Sequence, residues 1–390
     1  DDNAKVRSLS KINKKFNEKN FENILDEVDY LVLSPGINIK NCKLKKKIIK
    51  NKDKIITDLD IFYMINSKVK SIMITGSNGK STTCKIIEHV LKKNKIETSL
   101  GGNIGKPILD LKFKKNRIMI IEASSFQLYY SRFISPSIAI ILNITNDHLD
   151  WHKTKFNYVA SKFKIFSNQT KKNYAFLRDK KLINFYKKKN FKAKLEKVST
   201  DNYTFFKNKI KNSYINSKVN EENMNFAYHV AKKFKINKNS FVNSINSFKG
   251  LEHRYEVFYK YNNLTFINDS KATSFEASKF ALMSNKNIYW IVGGLPKKKD
   301  KFLLKNIKKN VIKSYIIGKN INFFKKKLKN KIKLTIFKLL KGATSSVFKD
   351  IKKNYKTKPS TVLLSPASAS YDQFKNFNER GTIFKKLVKK

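Results

Sequence analysis

The 390-residue chain carries 84 Lys and Arg against 29 Asp and Glu, a formal net charge of +55, yet 41% of it is hydrophobic, enough for the cores of two or three domains. Lysine supplies nearly all of the charge. Arginine occurs only at 7, 117, 132, 178, 254 and 380, and the Lys triplets at 45–47, 187–189, 297–299 and 325–327 are spread through every region, so the charge reads as a compositional bias over an ordinary fold and not as a base-reading surface. The longest apolar runs, such as Ser137 to Thr145, fall far short of the roughly 20 residues of a membrane span, and two cysteines, Cys42 and Cys84, suggest no disulfide framework; a reducing cytoplasm is the expected location.

In chain order, the first segment to about residue 66 predicts a strand at Tyr30–Leu33, the turn Ser34-Pro35-Gly36-Ile37, a basic helix and a short strand at Lys54–Thr57. It is too small for a whole α/β domain and begins without methionine, so a preceding piece is expected. From Val69 to about Gly250, strands at Ser71–Thr75, Ile96–Leu100, Arg117–Ala123 and Ser137–Thr145 alternate with helices, as a mostly parallel sheet requires. A helix over Phe156–Ser167 buries a stripe of Tyr158, Val159, Phe163 and Phe166. From Leu251, strands at Leu264–Asn268, Asn287–Val292, Ser314–Ile317 and Thr361–Ser365, with helices at Ser274–Ser284 and Lys301–Lys309, predict a second doubly wound sheet.

Thr-Gly-Ser-Asn-Gly-Lys-Ser-Thr-Thr at 75–83 joins the first central strand to the helix that begins at Cys84. Gly76 and Gly79 let backbone N–H groups at Ser77, Asn78 and beyond turn inward on a polyphosphate, Lys80 adds a point charge, and Ser81, followed by Thr82, can hold Mg²⁺ at the helix N-terminus. Ligands of open α/β sheets sit at the carboxyl ends of strands. Those ends carry Gly101-Gly102-Asn103-Ile104-Gly105, then Glu122 with Ser124-Ser125, then Asn146-Asp147-His148, all converging on the crevice of the phosphate loop. Glu122 is a candidate Mg²⁺ ligand, the alternative being a solvated strand end; His148 is a less typical one, the alternative being a helix or turn cap.

Six ordered motifs together resemble the Mur ligases, the ATP-dependent amide ligases of the peptidoglycan stem peptide. They are the phosphate loop at 74–82, Gly-Gly-Asn-Ile-Gly at 101–105, Glu-Ala-Ser-Ser-Phe-Gln-Leu at 122–128, Leu-Asn-Ile-Thr-Asn-Asp-His-Leu-Asp at 142–150, Asn-Asp-Ser-Lys-Ala-Thr at 268–273 and Leu-Ser-Pro-Ala-Ser-Ala-Ser-Tyr-Asp-Gln-Phe-Lys-Asn-Phe-Asn-Glu-Arg-Gly at 364–381. The resemblance spans residues 31 to 385. The first two motifs are shared by sister ligases, and the last two belong to the branch that adds D-glutamate to UDP-N-acetylmuramoyl-L-alanine.

The resemblance implies a three-domain α/β architecture: a partial UDP-substrate domain (1–67) whose usual glycine turn lies ahead of residue 1, a central ATP-binding domain (68–250) and an amino-acid-binding domain (251–390). It implies two Mg²⁺, one on Ser81 and Glu122 and the second on His148 and a carbamate formed from Lys162 and CO₂. Asn223, Arg254 and Asp269 would contact ATP, Lys271 would neutralise phosphate charge during transfer, and Ser34, Pro35, Gly36, Asn103 and His148 would face the nucleotide-sugar substrate. Thr273, Lys297, Ser370 and the backbone at Phe377 would bind D-glutamate, although Lys297 also reads as a solvated charge and Thr273 and Ser370 as simple caps. The expected protein is a monomeric ligase of cell-wall synthesis that forms an acyl phosphate. Its rivals are a sister Mur ligase, a folylpolyglutamate synthase-like ligase and, from a different class, a basic nucleic-acid-binding protein.

Overall fold

The computed structural model describes residues 25–389 except 43, 146–147, 202, 212–214, 298–299, 301 and 354–357. The chain separates into two compact units between Phe248 and Lys249. In the first, β1 (Leu31–Val32) and β2 (Ile55–Ile56) pair in parallel, with α1 (Lys45–Lys50) between them and α2 (Asp58–Ile65) following. Leu25, Leu31, Leu33, Ile48 and Ile55 close over Tyr130, and the Tyr130 hydroxyl donates to the Ile37 carbonyl (3.3 Å). The short N-terminal segment is therefore packed on Tyr130, in the helix Ser125–Tyr130 that follows a strand of the central sheet.

α2 starts at a capping box in which Asp60 reaches back to the Thr57 N–H (2.8 Å). The same carboxylate, fully buried, accepts the backbone N–H groups of Arg132 (2.8 Å) and Phe133 (2.7 Å). Three amides thus share one buried acceptor.

The central elements follow as β3 (Ser71–Thr75), α3 (Lys80–Lys93), β4 (Thr98–Gly102), β5 (Ile118–Glu122), α4 (Ser125–Tyr130), β6 (Ile138–Ile141), α5 (Leu149–His152), α6 (Lys155–Phe163), β7 (Tyr174–Leu177), α7 (Lys180–Lys188), β8 (Lys194–Lys197), α8 (Tyr203–Lys209), α9 (Lys218–Lys233) and α10 (Lys238–Asn246). Every pairing in the order β4-β5-β3-β6-β7-β8 is parallel. β3, β5 and β6 are buried along their whole length, which is why they read as continuous apolar runs. β7 and β8 extend the expected four strands to six. β8, Lys-Leu-Glu-Lys, is a half-exposed edge and carries no apolar run. The strand expected over 137–145 ends at Ile141, because residues 142–145 leave the ladder to brace the phosphate loop. α6 ends at Phe163, and a 3₁₀ turn (Lys164–Phe166) completes the segment.

The second unit contains β9 (Glu256–Tyr261), β10 (Leu264–Asn268), α11 (Phe275–Ser284), β11 (Ile288–Gly293), β12 (Val311–Ile317), α12 (Ile321–Leu328), β13 (Leu334–Ile336), α13 (Leu340–Lys353), β14 (Ser360–Leu364) and α14 (Phe377–Lys389). Its order is β13-β12-β11-β14-β10-β9, parallel except for β9, which pairs antiparallel with β10. The expected doubly wound sheet is thus a mixed one with two additional strands, β9 and β13. No α-helix forms among the described residues of 301–309: Phe302, Leu304 and Ile307 are buried while Leu303 is 66% exposed, and burial at steps of two and three residues is no helical stripe.

Removing the shared acceptor in Asp60→Ala strips hydrogen bonds from three backbone amides in a buried corner. Stability should fall by about 2–4 kcal/mol, read as a lower urea midpoint with an unchanged slope.

Candidate active site at the phosphate loop

β3 lies between β5 and β6 although it precedes both in the chain, so connections leave it in opposite directions and open a crevice at its carboxyl end. The phosphate loop occupies that crevice. Gly79 has φ +85°, and a Cβ there would stand 2.1 Å from the Asn223 Oδ1 of α9. Asn223 also accepts the Thr83 hydroxyl (3.2 Å) and donates to Asn220 (2.9 Å). The other flank is held by the segment after β6: Ser77 N–H donates to the Asn143 carbonyl (2.8 Å), and Asn78 N–H to the Asn143 side-chain oxygen (2.9 Å). Lys80 Nζ lies inside the loop, on the carbonyls of Gly76 (2.9 Å) and Ser77 (3.0 Å). Ser81 and Thr82 are buried in the first turn of α3.

Register places Glu122 opposite Ile74 on one side and Gly102 on the other, at the loop's edge. It is 2% exposed, so it is not a solvated strand end. One carboxylate oxygen accepts Asn103 Nδ2 (2.9 Å), while the other, Oε2, is buried with no hydrogen-bond partner. A buried, unpaired anionic oxygen beside a phosphate loop is costly unless a cation meets it. The Ser81 hydroxyl and Glu122 are hard oxygen donors of the kind Mg²⁺ takes alongside phosphate, so these residues fit the ion. Among the described residues no group of three or more His, Cys, Asp or Glu is gathered for a metal.

His148 occupies the N-cap position before α5 at φ +52°, exposed, with its ring against Phe126 (4.7 Å between centroids) and with no side-chain capping bond. Lys162 lies within the buried face of α6, 2% exposed, where the sequence places it only beside that stripe. Its Nζ donates to the Gly76 carbonyl (2.9 Å) and stands 4.7 Å over the Tyr158 ring. Tyr158 in turn meets the Ser77 hydroxyl (2.8 Å). Lys162, Tyr158 and Lys80 therefore converge on the start of the loop. His152 packs beside them and bonds Ser125 Oγ (3.0 Å); burial first, then the nearby His148 and Lys162, pushes its pKa down to about 4, which keeps it neutral at pH 7.

Ser34, Pro35 and Gly36 form the turn after β1, closed by Ile37 N–H to the Ser34 carbonyl (3.0 Å). In the second unit, the loops after β10, β11 and β14 gather their own constellation. Asp269 is buried and accepts the Ser365 hydroxyl (2.7 Å) and the Tyr255 N–H (3.0 Å). Burial lifts its pKa to about 7, against the lowering effect of those bonds and of Arg254 and Arg380. Arg254 Nε is itself buried without a partner. Lys271 lies 4.8 Å over the Phe377 ring, and the Phe377 carbonyl accepts the Ser270 hydroxyl (2.8 Å). Ser370 is buried; Thr273 is half-buried one residue before Ser274, the actual cap of α11; Lys297 is exposed. Arg380, 1% exposed, ties this cluster together through Ser270 and Ser368.

The residues that motif reading leaves without a role are Asn143, Tyr158 and Arg380. Asn143 and Arg380 stand inside quoted motifs, and Tyr158 in the buried stripe, so their positions were visible and their partners were not.

Residues 74–245 match the family model of the Mur ligase middle domain. The UDP-N-acetylmuramoylalanine–D-glutamate ligase of Rickettsia felis is 35% identical over 387 residues, covering 93% of this chain and 84% of that protein. The enzyme of the same name from Oenococcus oeni is 36% identical over 402 residues, covering 96% and 88%. The chain belongs to the Mur ligase family. Solved Mur ligases share the fold at 15% identity: a MurF structure from Acinetobacter baumannii superposes with a TM-score of 0.62 over 85% of this chain and 79% of its own, and MurC from Thermotoga maritima with 0.60 over 93% and 85%.

Two outcomes follow from the geometry. Gly79→Ala, which would place a methyl group against Asn223, should lower ATP affinity at least about tenfold, measured by titration calorimetry. For Asp269, the native pKa of about 7 exceeds the ordinary 3.8, so the folded state holds a proton that the unfolded chain releases between these values. Stability should fall as pH rises from about 4 to 7, and Asp269→Asn should flatten that slope in urea titrations.

Proposed function

We propose that this chain is an ATP-dependent ligase that joins D-glutamate to UDP-N-acetylmuramoyl-L-alanine in the cytoplasm, acting as a monomer in peptidoglycan precursor synthesis. The observation that carries the reading is the buried, unpartnered Glu122 oxygen beside a phosphate loop braced from both flanks, in a chain of the Mur ligase family. Relatives that carry this name at 35% and 36% identity support the choice of substrates.

The chemistry begins from a poor electrophile, a carboxylate. Transfer of the γ-phosphoryl group from ATP onto the alanyl carboxylate gives an acyl phosphate and ADP; the D-glutamate amine attacks its carbonyl carbon, the acyl C–O bond breaks, phosphate leaves with the electron pair, and the new amide nitrogen gives up a proton to the medium. The loop from Gly76 to Gly79, with its Ser77 and Asn78 amides held on Asn143, carries the phosphates together with Lys80, and Ser81, Thr82 and Asn223 lie at the helix side. Ser81 and Glu122 would hold Mg²⁺, which when bound would neutralise charge that accumulates on the phosphates. Arg254, Asp269 and Lys271 serve the nucleotide and the transferred group. Asn103 and His148 face the acceptor, whose uridine end lies at Ser34, Pro35 and Gly36. Thr273, Lys297, Ser370 and the Phe377 backbone hold D-glutamate. This division of labour assumes three domains, 1–67, 68–250 and 251–390.

A second Mg²⁺ on His148 and a carbamylated Lys162 belongs to the same proposal. Lys162 Nζ donates to the Gly76 carbonyl, a placement that an ammonium also explains. Lys162→Ala should lose most activity under either reading. Partial recovery on adding a short carboxylate identifies the carbamate, and its absence assigns the role to the ammonium.

Phosphate release from ATP with Mg²⁺ and UDP-N-acetylmuramoyl-L-alanine should depend on D-glutamate and not on L-glutamate, and Lys80→Ala should abolish it. Turnover with a folate in place of the muramoyl nucleotide would replace the proposal with a folylpolyglutamate synthase-like one. Nucleic-acid affinity that persists at physiological salt would favour the binding-protein alternative.

A further inference from the structure

Asn143 is bonded to the phosphate loop at three points and its neighbour Leu142 at a fourth, and one further bond fixes the amide that makes two of them. Its main-chain carbonyl accepts Ser77 N–H (2.8 Å), its Oδ1 accepts Asn78 N–H (2.9 Å), its Nδ2 donates to the Asn78 carbonyl (3.2 Å), and the preceding Leu142 N–H donates to the Thr75 carbonyl (3.0 Å). The second Nδ2 hydrogen goes to Glu222 Oε2, at 2.6 Å. Glu222 lies on α9 immediately before Asn223, the residue that meets Gly79 on the loop's other flank.

A side-chain amide is nearly symmetric in shape, so packing alone does not choose which end is oxygen. If Asn143 turned over, its NH₂ would face the Asn78 N–H and its oxygen would face the Asn78 carbonyl, two like-polarity contacts in place of two hydrogen bonds. An ionised carboxylate accepts and never donates, so it can engage only the NH₂ end. We propose that Glu222 is a positioning residue for ATP: it fixes the orientation of the Asn143 amide, and through it the Asn78 peptide of the phosphate loop. Burial raises the Glu222 pKa, while the Asn143 bond and Arg178 act in the opposite direction. Together with Asn223, Glu222 makes α9 a clamp that reaches both sides of the loop from adjacent positions. The inference rests on reading residues 75–83 as the nucleotide site.

The test compares Glu222→Leu, which keeps the bulk and removes the acceptor, with Glu222→Gln, which retains an acceptor oxygen. In steady-state assays with ATP and both co-substrates, Glu222→Leu should raise KM for ATP about five- to tenfold, with kcat and the other two KM values within about twofold. Glu222→Gln should stay within about twofold of the parent protein. Asn143→Ala should raise KM for ATP as well, and adding Glu222→Leu to it should do nothing more, because the carboxylate acts only through that amide. An unchanged KM for ATP in Glu222→Leu, an equal rise in all three KM values with a drop in thermal midpoint, or additive effects in the double variant would overturn the proposal. Failure of the parent protein to bind ATP would instead overturn the functional reading on which it stands.

Discussion

The phosphate loop keeps its Ser77 and Asn78 amides on Asn143, so its shape depends on partners that lie outside it. The fixing bonds have to come from outside. Here they come from two directions: the segment after β6 reaches over Ser77 and Asn78, and α9 presses Asn223 against Gly79 and holds Asn143 through Glu222. Much else in the first unit follows from that need. β6 stops at Ile141 so that Leu142 and Asn143 can leave the ladder, and α9 crosses α3 where its polar end meets the loop.

The second constraint is charge. Glu122, Lys162, Asp269, Arg254 and Arg380 all bury polar or ionic atoms, and several lack a partner for at least one of them. Burying a charge costs several kcal/mol unless something offsets it, so such groups concentrate where a ligand or counter-ion repays the desolvation. Against this background the +55 net charge is nearly irrelevant to the site. Most of the lysines lie in solvent, and the few ionic groups that matter are those withdrawn from it.

Element type was largely legible in the sequence wherever burial on both faces produced an uninterrupted apolar run. β3, β5, β6, β10, β11 and β14 carry Ile, Val, Leu and Met in such runs, and each is close to where the pattern predicts it. β8 and β9 were not legible. They are edges with one exposed face, and lysine or tyrosine on that face erases the signal. The helix expected at 301–309 shows the opposite error: lysines between apolar residues imitate an amphipathic stripe, whereas the buried positions are spaced for an irregular strap.

By itself the sequence determined the phosphate loop, the parallel-sheet class and the family, because glycines at fixed offsets, continuous apolar strands and six ordered motifs are local properties of the chain. Only the tertiary structure decided that Lys162 is buried on the Gly76 carbonyl and that Glu122 keeps an unpaired oxygen. It alone joined Asn143 and Glu222, 79 residues apart, around the loop. The physical reason is that a hydrogen bond or a desolvated charge depends on which groups meet in space, and among so many lysines and asparagines residue type alone marks none of them out.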